Sequence, residues 1–216
     1  MKNSAARPLQ PYELEFAAWF LEDAGASFQD YSADETFVPA TPGALAIAQA
    51  ICAEAGDDPS EAEICRLPGD DTDWVQFCTS RAMEFFSRRC RELAESAEQQ
   101  RDLDAAELSL MTELLDLAGQ DHEDVAEDVC FDLTLDVTAE NRPMFIAAVE
   151  NYLERARTQS DREPRIDKPV AETAMAIRAH LLADVPETTI DIPDYWLMFY
   201  LSRRCQDLAV NPQRLE

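Results

Sequence analysis

WVQFCTSRAMEFFSRRCRELA, residues 74–94, is written a second time near the C-terminus as YWLMFYLSRRCQDLA, residues 195–209. Ser87-Arg88-Arg89-Cys90 aligns with Ser202-Arg203-Arg204-Cys205, Leu93-Ala94 with Leu208-Ala209, and Met83 with Met198, all at one offset. Such identity at a fixed offset marks an internal repeat. Val75, Cys78, Ala82, Phe85, Phe86, Cys90 and Leu93 recur at helical spacing, so a helix is expected over 74–98. Arginines 81, 88, 89 and 91 fall around its other faces.

Helical periodicity spreads outward from this stretch. Pro11-Tyr12 opens a first helix, with Leu14, Ala17, Ala18 and Leu21 on one stripe and Gly25 as its stop. Residues 26–43 read as a loop. Thr41-Pro42 then reads as an N-cap with proline at the first helical position, and Gly56-Asp57-Asp58-Pro59 ends the alanine-rich helix that follows. Residues 60–73 read as an acidic connector with a short helix at 60–64. A further helix runs from about Asp104 to Leu117, closed by Gly119. Phe131, Leu133, Leu135 and Val137 alternate with polar residues, the period of one short extended piece. Helices after Arg142-Pro143 and from Pro169 flank a polar linker at 158–168. The expected fold is all-α: an N-terminal helix (11–25) and three divergent, stacked helical hairpins (41–98, 104–157 and 169–210). These form one compact domain over 1–216, with acidic connectors.

The chain has 44 acidic residues against 18 basic ones, a net charge of −26, and its only lysines are Lys2 and Lys168. That charge repels nucleic acid and anionic membranes, so neither is expected as a direct partner. No apolar run approaches the roughly 20 residues of a membrane span, and the N-terminus lacks the apolar core of a secretory signal. The expected location is the cytoplasm. The six cysteines form no C-x-x-C pair, and His122 lies far along the chain from His180, so no metal site and no cofactor are expected. No Ser/His/Asp, Cys/His or glycine-loop arrangement stands out.

One carboxylate pattern does touch enzyme chemistry. Glu92-x-x-Glu95 and, seventeen residues on, Glu113-x-x-Asp116 resemble the ExxE and ExxD elements by which all-α nucleotide pyrophosphohydrolases of the MazG type hold magnesium. The denser EExxE of that family and a basic residue for the triphosphate are missing, and a chain this acidic supplies such spacings by composition. A pyrophosphohydrolase therefore ranks third among the readings, and no enzymatic activity is expected.

The distribution of charge is more unusual than its total. From Asp102 to Asn141 there are thirteen acidic residues and no Lys or Arg; residues 22–65 carry ten acidic residues and no basic one. Surface helices ordinarily intersperse charges of both signs. Asp121, Asp124, Asp128, Asp132 and Asp136 recur every three or four residues, and on a helix they would form a row with steps of about 5–6 Å. In physical character this row resembles the surfaces of DNA-mimic proteins. The expected partner is a basic protein whose own ligand is nucleic acid, engaged through Asp121, Glu123, Asp124, Glu127 and Asp128. A second patch is formed by Asp57, Asp58, Glu61, Glu63, Asp70 and Asp71. The alternative is a helical-hairpin adaptor or chaperone that holds a peptide in an apolar groove.

Overall fold

In the computed structural model, residues 7–28, 35–62, 64–96, 102–125, 132–159, 168–183 and 188–210 are described. Among them, seven helices dominate: α1 (Pro11–Phe28), α2 (Pro42–Ala55), α3 (Thr79–Glu95), α4 (Ala105–Val125), α5 (Arg142–Gln159), α6 (Lys168–Leu182) and α7 (Asp194–Val210). Five short strands join them: β1 (Glu35–Pro39), β2 (Ile64–Arg66), β3 (Asp73–Cys78), β4 (Asp132–Val137) and β5 (Thr188–Pro193). The protein is thus mostly helical with two small antiparallel sheets, β1-β3-β2 and β4-β5.

The strands correct the all-α expectation at particular residues. Residues 74–78 were expected to be the first turn of the repeated helix. They form β3 instead, and the helix begins at Thr79. The reason lies in the side chains: Val75 and Phe77 alternate inward at 0% and 3% exposure, and Trp, Val and Phe favour a pleated surface. A partner is present at β1, where Val38 faces Val75 and Thr36 faces Phe77. The loop expected over 26–43 therefore contains a strand. In the connector expected over 60–73, a single 3-10 turn (Pro59–Glu61) is followed by β2, which pairs with β3 at Ile64, Cys65 and Arg66. The extended piece read at 131–137 is β4, whose partner is β5, with Leu133 opposite Ile192 and Leu135 opposite Ile190.

The helix caps follow the sequence at α2. Thr41 accepts a hydrogen bond from the Ala44 backbone N–H at 3.0 Å, Pro42 occupies the first turn, and Gly56 closes the helix at φ 83°. Two other glycines do a different job. Gly25 and Gly119, expected as helix stops, lie inside α1 and α4. A Cβ on Gly25 would come within 3.2 Å of Met83 Cβ, and one on Gly119 within 2.8 Å of the Phe199 ring. Each glycine permits a close helix crossing.

Two compact units are present, residues 1–118 with 202–216, and residues 119–201. The chain passes from one unit to the other within α4 and again within α7. In the first unit α3 packs chiefly on α1 and only lightly on α2, so the expected α2–α3 hairpin is not the main packing pair. Its core includes Phe20, Leu21, Met83, Phe86, Cys90 and Met111, all essentially inaccessible. In the second unit Tyr152 stacks on Trp196 with ring centroids 4.2 Å apart, and Arg155 lies over the Phe199 ring at 3.4 Å. His122 Nδ1, also there, lies 2.8 Å from Asp194 Oδ2 at the start of α7.

Candidate interaction surface

Where the arginines go decides which carboxylates are left over. Arg81 pairs with Asp57, Arg88 with Glu54 and Glu84, and Arg91 with Glu22. Arg66 holds Asp73 at 2.7 Å, Arg178 holds Glu150 at 2.7 Å, and Arg155 lies 3.6 Å from Glu123. The arginines divide between two kinds of partner. Arg81 reaches Asp57, just past the end of α2. Arg89 and Arg204 instead reach glutamates at helix N-termini.

Those two contacts mirror one another. In α1, Glu13 accepts the Gln10 backbone N–H at 2.8 Å; in α4, Glu107 accepts the Asp104 backbone N–H at 2.7 Å. Each carboxylate thus satisfies a backbone N–H at the entrance of its helix, as in a capping box. Arg204 Nε, on α7, lies 3.6 Å from Glu13, and Arg89 Nε, on α3, lies 3.4 Å from Glu107. Arg7 clasps Glu13 as well, at 2.7 and 3.2 Å. Between these pairs lie Cys90 and Cys205, both at 0% exposure, and burial pushes the Cys90 thiol up to about 12. Burial likewise raises Cys205, with the neighbouring Cys90 as the next cause. These thiols are packing groups, not nucleophiles.

Of the acidic residues singled out in the sequence, several prove to hold local structure. Asp57 is tied to Arg81. Asp58 caps the 3-10 turn by accepting the Ser60 N–H at 2.9 Å, and that backbone bond lowers its pKa. Asp70 accepts the Thr72 N–H at 2.8 Å and the Trp74 indole N–H at 2.9 Å; the backbone bond is the main cause of its lowered pKa. Asp71 is exposed beside it. Glu61 contributes its backbone to the 3-10 turn, and its side chain lies outside the described residues, as does Glu63 altogether.

In the first patch, Asp121, Glu123 and Asp124 sit on the last turns of α4, while Glu127 and Asp128 lie outside the described residues. The row read from Asp121 to Asp136 is not one helix, because Asp132 and Asp136 belong to β4. A different row takes its place. Glu113, Asp116, Gln120 and Asp124 follow one another at helical spacing along α4, with Glu123 and Asp121 to either side. Successive members rise by about 4.5–6 Å. Glu113 has its pKa raised, first by partial burial and then by repulsion from Asp116. Glu113 and Asp116 were read from the sequence only as a magnesium motif; plotting exposure on a helical wheel would have joined them to Asp124. Among the described residues no group of three or more His, Cys, Asp or Glu converges to hold a metal ion.

The first unit also has a cavity of about 240 Å³ between α2, β3 and the start of α3, lined by Ile51, Cys52, Gln76, Phe77, Cys78 and Arg81. Cys78 is exposed there, and Arg81 is already engaged by Asp57. Among the described residues no helix is long and apolar enough to cross a membrane. No family model, curated protein or solved structure matches the chain.

Proposed function

We propose that this is a non-enzymatic interaction protein whose carboxylates engage a basic protein, and that its sharpest role is nucleic-acid mimicry. It would occupy the groove in which that partner holds DNA or RNA. One observation carries the reading. Arginines 7, 66, 81, 88, 89, 91, 155, 178 and 204 are each spent on a carboxylate of their own chain, while Glu113, Asp121 and Asp124 on α4 have no ion pair among the described residues. Unpaired carboxylates repel one another and weaken the fold slightly, so their retention on one helix face supports a partner that neutralises them. Asp121 and Asp124 stand about 4.5 Å apart along the helix axis, a step comparable to that of phosphates along a strand, which supports the mimic over a generic acidic surface. Asp57, Asp58 and Asp70 carry less weight, since each has a local role.

The test starts from capture out of lysate at low salt and elution by salt, followed by purification of the eluted protein. Binding to that partner should be competed by DNA or RNA and should fall steeply with ionic strength. The Glu113→Gln/Asp121→Asn/Asp124→Asn variant should bind at least tenfold more weakly, mainly through slower association, and should be no less stable than the parent. A variant that keeps full affinity would remove the α4 face from consideration. Binding that ignores salt would favour an apolar groove instead.

We further read the chain as a duplication of helix–strand–helix–strand–helix, α1-β1-α2-β3-α3 and α4-β4-α5-β5-α7. The sequences ELEFAAWFLEDAG (13–25) and ELSLMTELLDLAG (107–119) support it, sharing the capping glutamate, Leu14/Leu108, Leu21/Leu115 and Ala-Gly. The reciprocal Arg204–Glu13 and Arg89–Glu107 contacts support it too.

A further inference from the structure

The cavity of about 240 Å³ between α2, β3 and the start of α3 brings two thiols and a guanidinium to one space. Its floor is apolar, with Ile51 of α2 and Phe77 of β3. Cys52, half-buried on α2, and Cys78, exposed at the end of β3, both line it. So does Arg81, in the first turn of α3. Arg81 gives Nη1 to Asp57, while its Nε and Nη2 have no partner among the described residues. Its pKa is raised, foremost by the hydrogen bond and charge of Asp57, with Cys78 and then Cys52 adding to the effect; both sulfurs thus lie close to the guanidinium. Cys78 is also the N-cap residue of α3, where its Sγ makes no capping bond and lies 3.5 Å from Ser80 Oγ. Cys90 and Cys205 serve packing and are wholly buried; Cys52 and Cys78 instead face open space.

We propose that this cavity is a covalent modification site, at which Cys78 takes up a small thiol bearing a carboxylate as a mixed disulfide and Cys52 later releases it. The volume falls just below the roughly 300–1,000 Å³ of sites for drug-sized ligands, which suits a smaller group. The donor is a low-molecular-weight disulfide, RSSR. The Cys78 thiolate attacks one of its sulfurs: a Cys78–S–S–R bond forms, the S–S bond of RSSR breaks, and the leaving RS⁻ takes up the proton that Cys78 gave up. Cys78 is oxidised and one half of RSSR is reduced. Cys52 then attacks the Cys78 sulfur, a Cys52–Cys78 bond forms, and the second RS⁻ leaves with the proton of Cys52. The methylenes of R lie against Ile51 and Phe77, and its carboxylate meets the free N–H groups of Arg81. The N-terminus of α3 favours the same negative charge. A chain of net charge −26 disfavours an anionic reagent everywhere else, so a preference for one at Cys78 reports this local cation. The site owes nothing to the α4 carboxylates, and either proposal can fail without the other.

A matched pair of disulfides tests it: dithiodipropionate, with a carboxylate on each arm, and cystamine, with an ammonium on each. Each is added to the reduced, native full chain, and peptide mass spectrometry after acid quenching follows every cysteine with time. Cys78 should be the first thiol modified by dithiodipropionate, and its adduct should give way to a Cys52–Cys78 disulfide. Cys52→Ser should stop at the adduct. Arg81→Ala should lower the dithiodipropionate-to-cystamine rate ratio at Cys78 by roughly two- to fivefold, the worth of one exposed ion pair, with the far-UV circular dichroism unchanged. Using the ratio cancels any change in the reactivity of the thiol itself. The same ratio at Cys65, half-buried on β2, should not move. Equal modification of Cys65 and Cys78, a parent adduct that never resolves through Cys52, or a Cys78 ratio indifferent to Arg81→Ala would each overturn the assignment.

Discussion

The SRRC word in α3 lies on a helix with one wet face; in α7 it follows eight consecutive buried residues, Asp194 to Leu201. The cysteine is inaccessible in both, and the first arginine is exposed in both. The second arginine separates them. Arg89 keeps 24% of its side chain exposed beside Glu107, whereas Arg204 keeps 5% beside a Glu13 that is wholly covered. Arg204 donates to the Arg7 carbonyl at 2.7 Å, yet its Nε and Nη1 have no hydrogen-bond partner. The same four letters thus give a half-solvated ion pair in one helix and a buried, incompletely satisfied one in the other. Local sequence sets which residue reaches the partner glutamate; burial sets what that contact is worth.

The sharpest way to break this contrast is to delete each arginine. Arg204→Ala leaves the buried Glu13 with Arg7 as its remaining cation among the described residues and should cost roughly 3–5 kcal/mol. Arg89→Ala should cost roughly 1 kcal/mol, because water already screens that pair. Urea unfolding of the two variants measures the difference, and equal losses would mean that burial does not distinguish the helices.

A smaller contrast concerns the crossings. Gly119→Ala drives a methyl into the Phe199 ring of α7 and should destabilise by about 1–3 kcal/mol, the usual cost of overpacking. Gly25→Ala meets Met83 of α3 at a less severe 3.2 Å, and the gain in helix propensity of up to about 1 kcal/mol offsets much of the strain. Thermal unfolding should therefore show a clear loss for Gly119→Ala and little change for Gly25→Ala.

The two thiols should behave alike. The Cys90 pKa rises from 9.0 to about 12 on folding, so the unfolded chain gives up this proton at a pH where the native chain still holds it. The stability it contributes is complete below pH 9 and declines between 9 and 12, by on the order of 1 kcal/mol per pH unit. Cys205 shifts in the same direction for the same reason. Stability measured from pH 8 to 11 should fall less steeply in either Cys90→Ala or Cys205→Ala than in the parent. In the native protein both thiols should resist alkylation while exposed Cys78 reacts.

Why the helices were legible and their setting was not has a physical basis. Helices leave a mark every three or four residues, and all seven were readable at Leu14–Leu21, Leu45–Ile51, Phe85–Leu93 and their counterparts. Strands β1 and β3 are five and six residues long, and Val75-Phe77 fits a helix turn nearly as well as a strand until Val38 is known to lie opposite. Gly25 and Gly119 read as helix stops because glycine so often is one; their crossing partners, Met83 and Phe199, are distant in sequence. The acidic surface was legible as composition. Its sorting was not, because Asp58 and Asp70 become caps only through bonds to Ser60 and Thr72, while Glu113 joins Asp124 only through the course of α4.

The smallest expected effect changes sign between the two helices. Ser202 Oγ donates to the Thr112 carbonyl at 3.1 Å, whereas Ser87 Oγ, the same letter of the word in α3, is buried without a hydrogen-bond partner. Ser202→Ala removes a net favourable bond and leaves the carbonyl one donor short, a loss of about 1 kcal/mol. Ser87→Ala removes a hydroxyl that left water for nothing, and alanine is the better helix former. It should be neutral or stabilise by up to about 1 kcal/mol. Calorimetric unfolding of both variants reads the sign directly. If Ser87→Ala is also destabilising, its hydroxyl has a partner in solution, such as a bound water, and the environments of α3 and α7 are more alike than their burial indicates.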